Sequence, residues 1–271
     1  MVHKEKRIID MKVEKDDKLI LLTNDDGLYA SGLITLTEVM EEFGKVVVVS
    51  TIDSRSGISQ ALTVKMPIRV KLLKETDTKR VYACSGTPAD GVKISVNQLL
   101  ERRPDWVVSG INHGANASVS VIYSGTMAGA IEGCLYGFDS VGFSLNNFSA
   151  DADFGPTKKY VRHIMNSLNK KRLPQGVCLN VNIPACPEHE IKGIKICRQA
   201  RGNWQEEFEK RKDPMGKTYY WLTGIFKNHE PEATDTDEWA LANNYVSVVP
   251  VAVNMTAHGF IDDLKKQIHN E

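Results

Sequence analysis

A continuous apolar run, Leu19-Ile20-Leu21-Leu22, gives way at once to the polar turn Thr23-Asn24-Asp25-Asp26-Gly27. A run apolar on both faces suits a strand buried in a parallel sheet. Beyond the turn, Leu33, Leu36, Val39, Met40 and Phe43 recur at helical spacing. A second apolar run, Lys45–Ser50, then completes a strand–helix–strand unit of about 30 residues, the usual size. The predicted fold class is α/β, a mostly parallel sheet flanked by helices. Ligands bind at the carboxyl ends of strands in such sheets. Two adjacent carboxylates, Asp25 and Asp26, stand at that position.

Asn-Asp-Asp-Gly is, read alone, ordinary turn chemistry, because Asn and Asp hydrogen-bond their own backbone and favour turns. Two features point beyond a turn. A helix follows, not a returning strand. Adjacent carboxylates also repel each other unless a proton or a cation neutralises them, and no Lys or Arg lies between Lys18 and Lys45. A hard divalent cation bound by oxygens is the simplest neutraliser.

Two more loops follow strands in the same way. The stretch 51–60 (TIDSRSGISQ) follows the second strand, and 110–126 (GINHGANASVSVIYSGT) follows a strand over Trp106–Ser109. If the three strands are parallel neighbours, their loops open onto one rim. That rim offers Asp25, Asp26, Ser56 and Asn112, an all-oxygen set suited to Mg²⁺ or Mn²⁺ rather than Zn²⁺. A second group, Tyr123-Ser124-Gly125-Thr126, precedes a small-residue helix predicted over Met127–Tyr136. A helix N-terminus of that kind can hold an anion such as phosphate. Ser124 or Thr126 can equally be an ordinary N-cap. His113 can meet substrate or serve the loop's own hydrogen bonding, and Arg55 can approach a phosphate or be solvated. His258 reads as local capping. Thr87 and Asp90 have capping-box spacing around Pro88 and read as structural.

The remaining pattern divides the chain into a lead-in over residues 1–17, a core over about 18–200 and an arm over about 201–271. Ala61–Leu73, interrupted by Pro67, resembles an edge hairpin lying off the main sheet. Strands are predicted at Arg80–Cys84, Val141–Leu145, Val177–Ile183 and Ile191–Arg198, with a helix over Lys158–Leu168. Arg201–Lys217 reads as a charged, solvated arm bearing Trp204 and Phe208. Strands follow at Tyr219–Thr223 and Tyr245–Met255, then a helix over Phe260–Ile268. An aromatic-rich segment that cannot bury both faces within one chain predicts a homodimer or homotetramer.

Composition narrows the function. Lys+Arg and Asp+Glu are both 34 in 271 residues, so no basic field argues for a nucleic-acid polymer, although local groups can still hold a mononucleotide. No apolar run has the ~18 residues of a membrane span. The five cysteines (Cys84, Cys134, Cys178, Cys186 and Cys197) include no close pair of the kind zinc sites use. They read as free thiols, four of them in apolar segments, in a reducing cytoplasm.

Seven stretches in order, LLTNDDGLYASGL, DSRSGISQALT, GTPADGV, VVSGINHGAN, YSGTMAGAIEG, YVSVVP and NMTAHG, together resemble the SurE (survival protein E) family of metal-dependent nucleotidases. The resemblance runs from about Leu19 to Leu264. It implies a Rossmann-like core with a C-terminal region exchanged between subunits. It also implies hydrolysis of nucleoside 5′-monophosphates, and of 3′-monophosphates as a further option, with one divalent ion per subunit. The family's metal ligands carry over onto Asp25, Asp26, Ser56 and Asn112, with Asp25 and Asp26 as the catalytic carboxylates. Its phosphate-proximal residues carry over onto Asn116, Ser124, Gly125 and Thr126. Three positions depart from the family's usual pattern: Ser31 for Pro, Ser50-Thr51-Ile52 for Ala-Pro-Asp, and Asn244 for Gly. None removes a ligand. The rival readings are a non-catalytic nucleotide-binding module on the same fold, and a polyphosphatase or broad acid phosphatase at the same site.

Overall fold

The computed structural model describes residues 18–269; the lead-in expected over residues 1–17 lies outside the described residues. The strands are β1 (Leu19–Thr23), β2 (Lys45–Thr51), β3 (Val70–Glu75), β4 (Lys79–Cys84), β5 (Trp106–His113), β6 (Asp139–Leu145), β7 (Val177–Ile183), β8 (Ile194–Ile196), β9 (Gly202–Gln205), β10 (Phe208–Lys212), β11 (Thr218–Leu222), β12 (Ile225–Asn228) and β13 (Val246–Ala252). The helices are α1 (Ser31–Met40), α2 (Pro88–Ile94), α3 (Ser120–Tyr123), α4 (Gly125–Leu135), α5 (Thr157–Lys170), α6 (Asp237–Ala242) and α7 (Ile261–His269).

A nine-stranded sheet runs β3-β4-β2-β1-β5-β6-β7-β13-β8. From β4 across to β7 every neighbouring pair is parallel. Numbered by chain order, those parallel strands lie third, second, first, fourth, fifth, sixth, which is the doubly wound order. Its switch point falls between β1 and β5.

The unbroken apolar runs follow from the burial of both sheet faces, since successive strand side chains point to opposite sides. On one face Ile20, Leu22, Val46, Val48 and Val108 pack under Leu36 and Met40 of α1 and Val161 and Met165 of α5. On the other, Leu21, Val47, Val49 and Val107 pack under Val92 of α2. Beside α2, α4 covers β5 and β6. Gly32 lets α1 lie directly on β5, because a Cβ there would collide with the Ile111 carbonyl. The Thr87–Asp90 capping box forms as expected, with Pro88 in the first turn.

Four regions differ from the sequence reading. The strand expected over Trp106–Ser109 runs on to His113, so Asn112 lies on β5 and not in the loop. Residues 61–69 form no strand. The predicted edge hairpin is instead β3 turning back antiparallel onto β4, at the border of the main sheet. The strand expected over Ile191–Arg198 shrinks to β8. The charged arm is also more ordered than its composition suggests, as two separate two-stranded ribbons, β10-β11 and β12-β9. Within them Phe208, Tyr220, Trp221, Leu222 and Ile225 stand exposed, and α7 buries none of its residues. β12 and α6 had no sequence signal. All five cysteines are free, and Cys84, Cys134, Cys178 and Cys197 are buried.

Candidate active site

The polar turn after β1 is built from below. Asn24, fully buried, donates from Nδ2 to the Gly27 carbonyl (2.9 Å) and accepts at Oδ1 from the Ser50 hydroxyl (2.6 Å). Gly27 has φ +103°, open only to glycine without strain. Ser50, one of the departures from the family pattern, therefore ties the ends of β1 and β2 together. Asn244, another departure, has φ +63°, a left-handed conformation that Asn tolerates better than most residues.

Asp25 is 3% exposed. Its Oδ1 accepts from the Thr126 hydroxyl at 2.6 Å, and its carbonyl accepts from the Arg55 N–H at 2.7 Å. A Cβ on Gly125 would lie 2.6 Å from Asp25 Oδ2, so α4 must begin with glycine to admit the carboxylate. Burial pushes the Asp25 carboxyl up to about 6; the Thr126 hydroxyl opposes this and the charge of Asp26 adds to it. Asp26 accepts at Oδ2 from the His113 backbone N–H at 3.0 Å, and the His113 Nδ1 lies 3.3 Å from the same oxygen. The His113 ring packs edge-on against Phe154.

Asn112 spends its amide N–H groups on the carbonyls of His113 (3.1 Å) and Gly114 (2.8 Å), which leaves Oδ1 as the end able to take a cation. The loop after β2 is drawn to the turn by the Arg55–Asp25 backbone bond. Ser56 itself is exposed, with its hydroxyl 3.1 Å from that of Ser54. The Arg55 guanidinium donates to the Ser85 carbonyl.

At the start of α4 the hydroxyls turn inward. Ser124 caps the helix, accepting from the Met127 N–H at 3.0 Å, and Thr126 is committed to Asp25. The backbone at the helix terminus is what remains for an anion. Asn116 is buried, donating from its N–H to Asn182 Oδ1 (2.7 Å) and from Nδ2 to the Ser144 hydroxyl (2.9 Å). Its carbonyl accepts from Asn180 Nδ2 at 2.8 Å. The contacts to Thr126, His113, Ser50, Asn180 and Asn182 escaped the sequence reading because their partners are distant in the chain.

The donor set fits a hard cation. Among the described residues no Lys or Arg pairs with Asp25 or Asp26, and His113 is the basic side chain in contact. Nor do the described residues hold any cluster of three or more His, Cys, Asp or Glu placed for a metal ion. Two carboxylates supplemented by neutral oxygens, with water or substrate completing the shell, is the mode Mg²⁺ favours.

The chain matches the family Survival protein SurE over residues 20–206. It is 51% identical over 261 residues to the 5′-nucleotidase SurE of Christiangramia forsetii, covering 96% of this chain and 100% of the relative. It is also 51% identical over 252 residues to the 5′-nucleotidase SurE of Flavobacterium johnsoniae, covering 92% and 97%. The crystal structure of the SurE protein from Aquifex aeolicus superposes with a TM-score of 0.79 at 35% identity, covering 92% of this chain and 99% of that one. Matches of this extent, on a rim where the NDDG turn meets the end of β5 at the switch point, place the chain in the SurE family.

Proposed function

We propose that this chain hydrolyses nucleoside 5′-monophosphates to nucleoside and phosphate at the β1–β5 rim. One Mg²⁺ or Mn²⁺ ion per subunit would be held by Asp25, Asp26, Asn112 and Ser56. The reaction class is that of a 5′-nucleotidase, a hydrolase, as in the full-length relatives. The observation that carries the site assignment is a buried carboxylate, Asp25, set beside Asp26 with no Lys or Arg partner among the described residues. The ion, when bound, supplies neutralisation of that pair and of the charge developing on the phosphoryl oxygens.

The chain's own groups do the rest. Thr126 and the wall at Gly125 fix the Asp25 carboxylate. The His113 N–H fixes Asp26, and one of the two aspartates orients the attacking water or protonates the leaving ester oxygen; attack by an aspartate to form an aspartyl-phosphate is the alternative. The α4 N-terminus and Asn116 hold the remaining phosphate oxygens. The water oxygen bonds to phosphorus as the P–O ester bond breaks, and a water proton ends on the nucleoside hydroxyl.

The exposed aromatics of β10 and β11 support assembly with a second copy, as dimer or tetramer. The free thiols support a cytoplasmic setting. No described helix is long and apolar enough to cross a membrane.

Phosphate release from 5′- and 3′-nucleotides, polyphosphate and p-nitrophenyl phosphate, with and without chelator, tests the reading. Metal-dependent release strongest with 5′-nucleotides is expected. Nucleotide binding without turnover would support the binding module, and preference for polyphosphate the polyphosphatase.

A further inference from the structure

Asp237 is 1% exposed and opens α6, far in sequence from the rim. Its Oδ2 accepts from the Ser118 N–H at 2.8 Å. Its Oδ1 accepts from the Ala200 N–H and from the Glu238 N–H, each at 2.9 Å. The Ser118 hydroxyl in turn donates to the Ala200 carbonyl at 2.9 Å. One carboxylate thus joins three segments: the loop beyond Asn116, the base of the arm at Ala200, and α6. No Lys or Arg pairs with Asp237 among the described residues.

A buried carboxylate without a cation is unfavourable unless its oxygens are hydrogen-bonded. The α6 N-terminus does not require it, because Thr236 already caps that helix by accepting from the Trp239 N–H. What the carboxylate adds is the connection to Ser118, which sits at φ +51°, a conformation a non-glycine residue adopts only when held. Ser118 lies two residues past Asn116 and shortly before α3, which leads into Ser124. The Asn116 end of this loop is fixed from the core by Asn180, Asn182 and Ser144. The Ser118 end is fixed by Asp237.

We propose that Asp237 is a positioning residue, through which the base of the arm sets the loop between Asn116 and Ser124 for binding the substrate phosphate. The inference rests on the reading of Asn116 and the α4 N-terminus as the phosphate site. It assigns to the arm a part in the chemistry of its own subunit, besides any part in assembly. The proposed metal ligands Asp25, Asp26 and Ser56 lie on other loops and Asn112 lies on β5, so a loss at Asp237 leaves the ion's site intact.

The test compares Asp237→Asn, Ser118→Ala and Asn116→Ala with the wild type in metal-loaded enzyme. Each is measured by steady-state phosphate release from a 5′-nucleotide and by the melting-temperature response to Mn²⁺ alone. Asp237→Asn turns an amide N–H toward a backbone N–H, so one of the three bonds is lost. It should raise KM, lower kcat/KM by about tenfold to a hundredfold, as a misplaced positioning group does, and keep the Mn²⁺ response. If Asp237→Asn does not fold, Ser118→Ala, which removes only the hydroxyl bond to Ala200, should show a smaller shift in the same direction with the Mn²⁺ response kept. A folded Asp237→Asn with wild-type KM and kcat and only a lower melting temperature overturns the proposal, as does a Ser118→Ala with wild-type kinetics should Asp237→Asn not fold. If Asn116→Ala also has wild-type kinetics, the phosphate-site reading fails instead; if Asn116→Ala loses activity while Asp237→Asn does not, the failure belongs to Asp237 alone.

Discussion

The rim between β1 and β5 and the arm from β9 to β12 use polar and apolar residues in opposite ways. At the rim several buried polar groups bind one another, Asn24 to Ser50, Asp25 to Thr126, Asn116 to Ser144 and Asn182, while the buried hydroxyls of Thr23, Thr51 and Ser109 have no partner among the described residues. In the arm, Phe208, Tyr220, Trp221 and Leu222 are exposed. Buried polar groups that satisfy one another fix a geometry, which a reaction site needs. Exposed apolar groups leave burial unfinished, which a partner can complete. On the proposed function the rim takes a cation and a substrate, whereas the arm's exposed aromatics are left for a second copy of the chain.

The sharpest way to break this contrast is at the carboxylates. Asp25→Asn or Asp26→Asn should lower kcat/KM by more than about a hundredfold, the scale of losing a preorganised electrostatic group, with secondary structure unchanged. Phosphate release and circular dichroism check it, and near-wild-type turnover in either variant would move the site elsewhere. The next effect is on stability. Gly32→Ala places a methyl against the Ile111 carbonyl and should cost about 3 kcal/mol or more, at the upper end for overpacking. Denaturant unfolding reads it; the same methyl at Gly216 on the arm, where nothing stands within 4 Å but φ is +80°, should cost about 1 kcal/mol from backbone strain alone.

The contrast also explains what was legible in the sequence. The runs Leu19–Leu22 and Lys45–Ser50 showed the parallel sheet because both of its faces are buried, and the NDDG turn stands at its carboxyl end. Residues 61–73 misled because Pro67 and partial alternation suggest an edge without saying which strand it borders; that is set by pairing with β4. The ligand candidates could be named by chemistry, but not the contacts that aim them. Thr126 looked like a phosphate ligand or a cap, and its hydroxyl is bound to Asp25 from 101 residues away. Asp237 carried no signal, since an acidic residue in the first turn of a short helix is ordinary.

On the arm, Trp221→Ser should leave the sheet intact and weaken assembly. Light scattering at micromolar concentration should show mass shifting from oligomer toward monomer, and unchanged mass would remove β11 from the interface.

The smallest effect concerns acid. Glu230 is paired with Arg198 and Arg201 at the arm's base. The bond from Arg198, then that from the Arg201 backbone, hold its carboxyl down at about 2. A carboxyl depressed in the folded state stabilises above its unfolded value of about 4.3, and the contribution is lost as pH falls from there toward 2. Hydrogen exchange in residues 198–237 should therefore accelerate over that window. Glu230→Gln should already exchange faster at pH 7 and lose that part of the acid response; an identical profile would show that the pairing does not hold the base.

On the proposed function, Asp25 and Asp26 hold a divalent cation at the switch point. The most direct test is the melting temperature of chelator-treated protein as Mn²⁺ or Mg²⁺ is added back, for the wild type and for the Asp25→Asn/Asp26→Asn double variant. Binding to the folded state alone stabilises it by about 2.7 kcal/mol at a hundred times the dissociation constant. The wild type should therefore rise by several degrees. The double variant, relieved of its like-charge pair, should start as high or higher and not respond. A double variant that still gains stability from the metal would contradict the account.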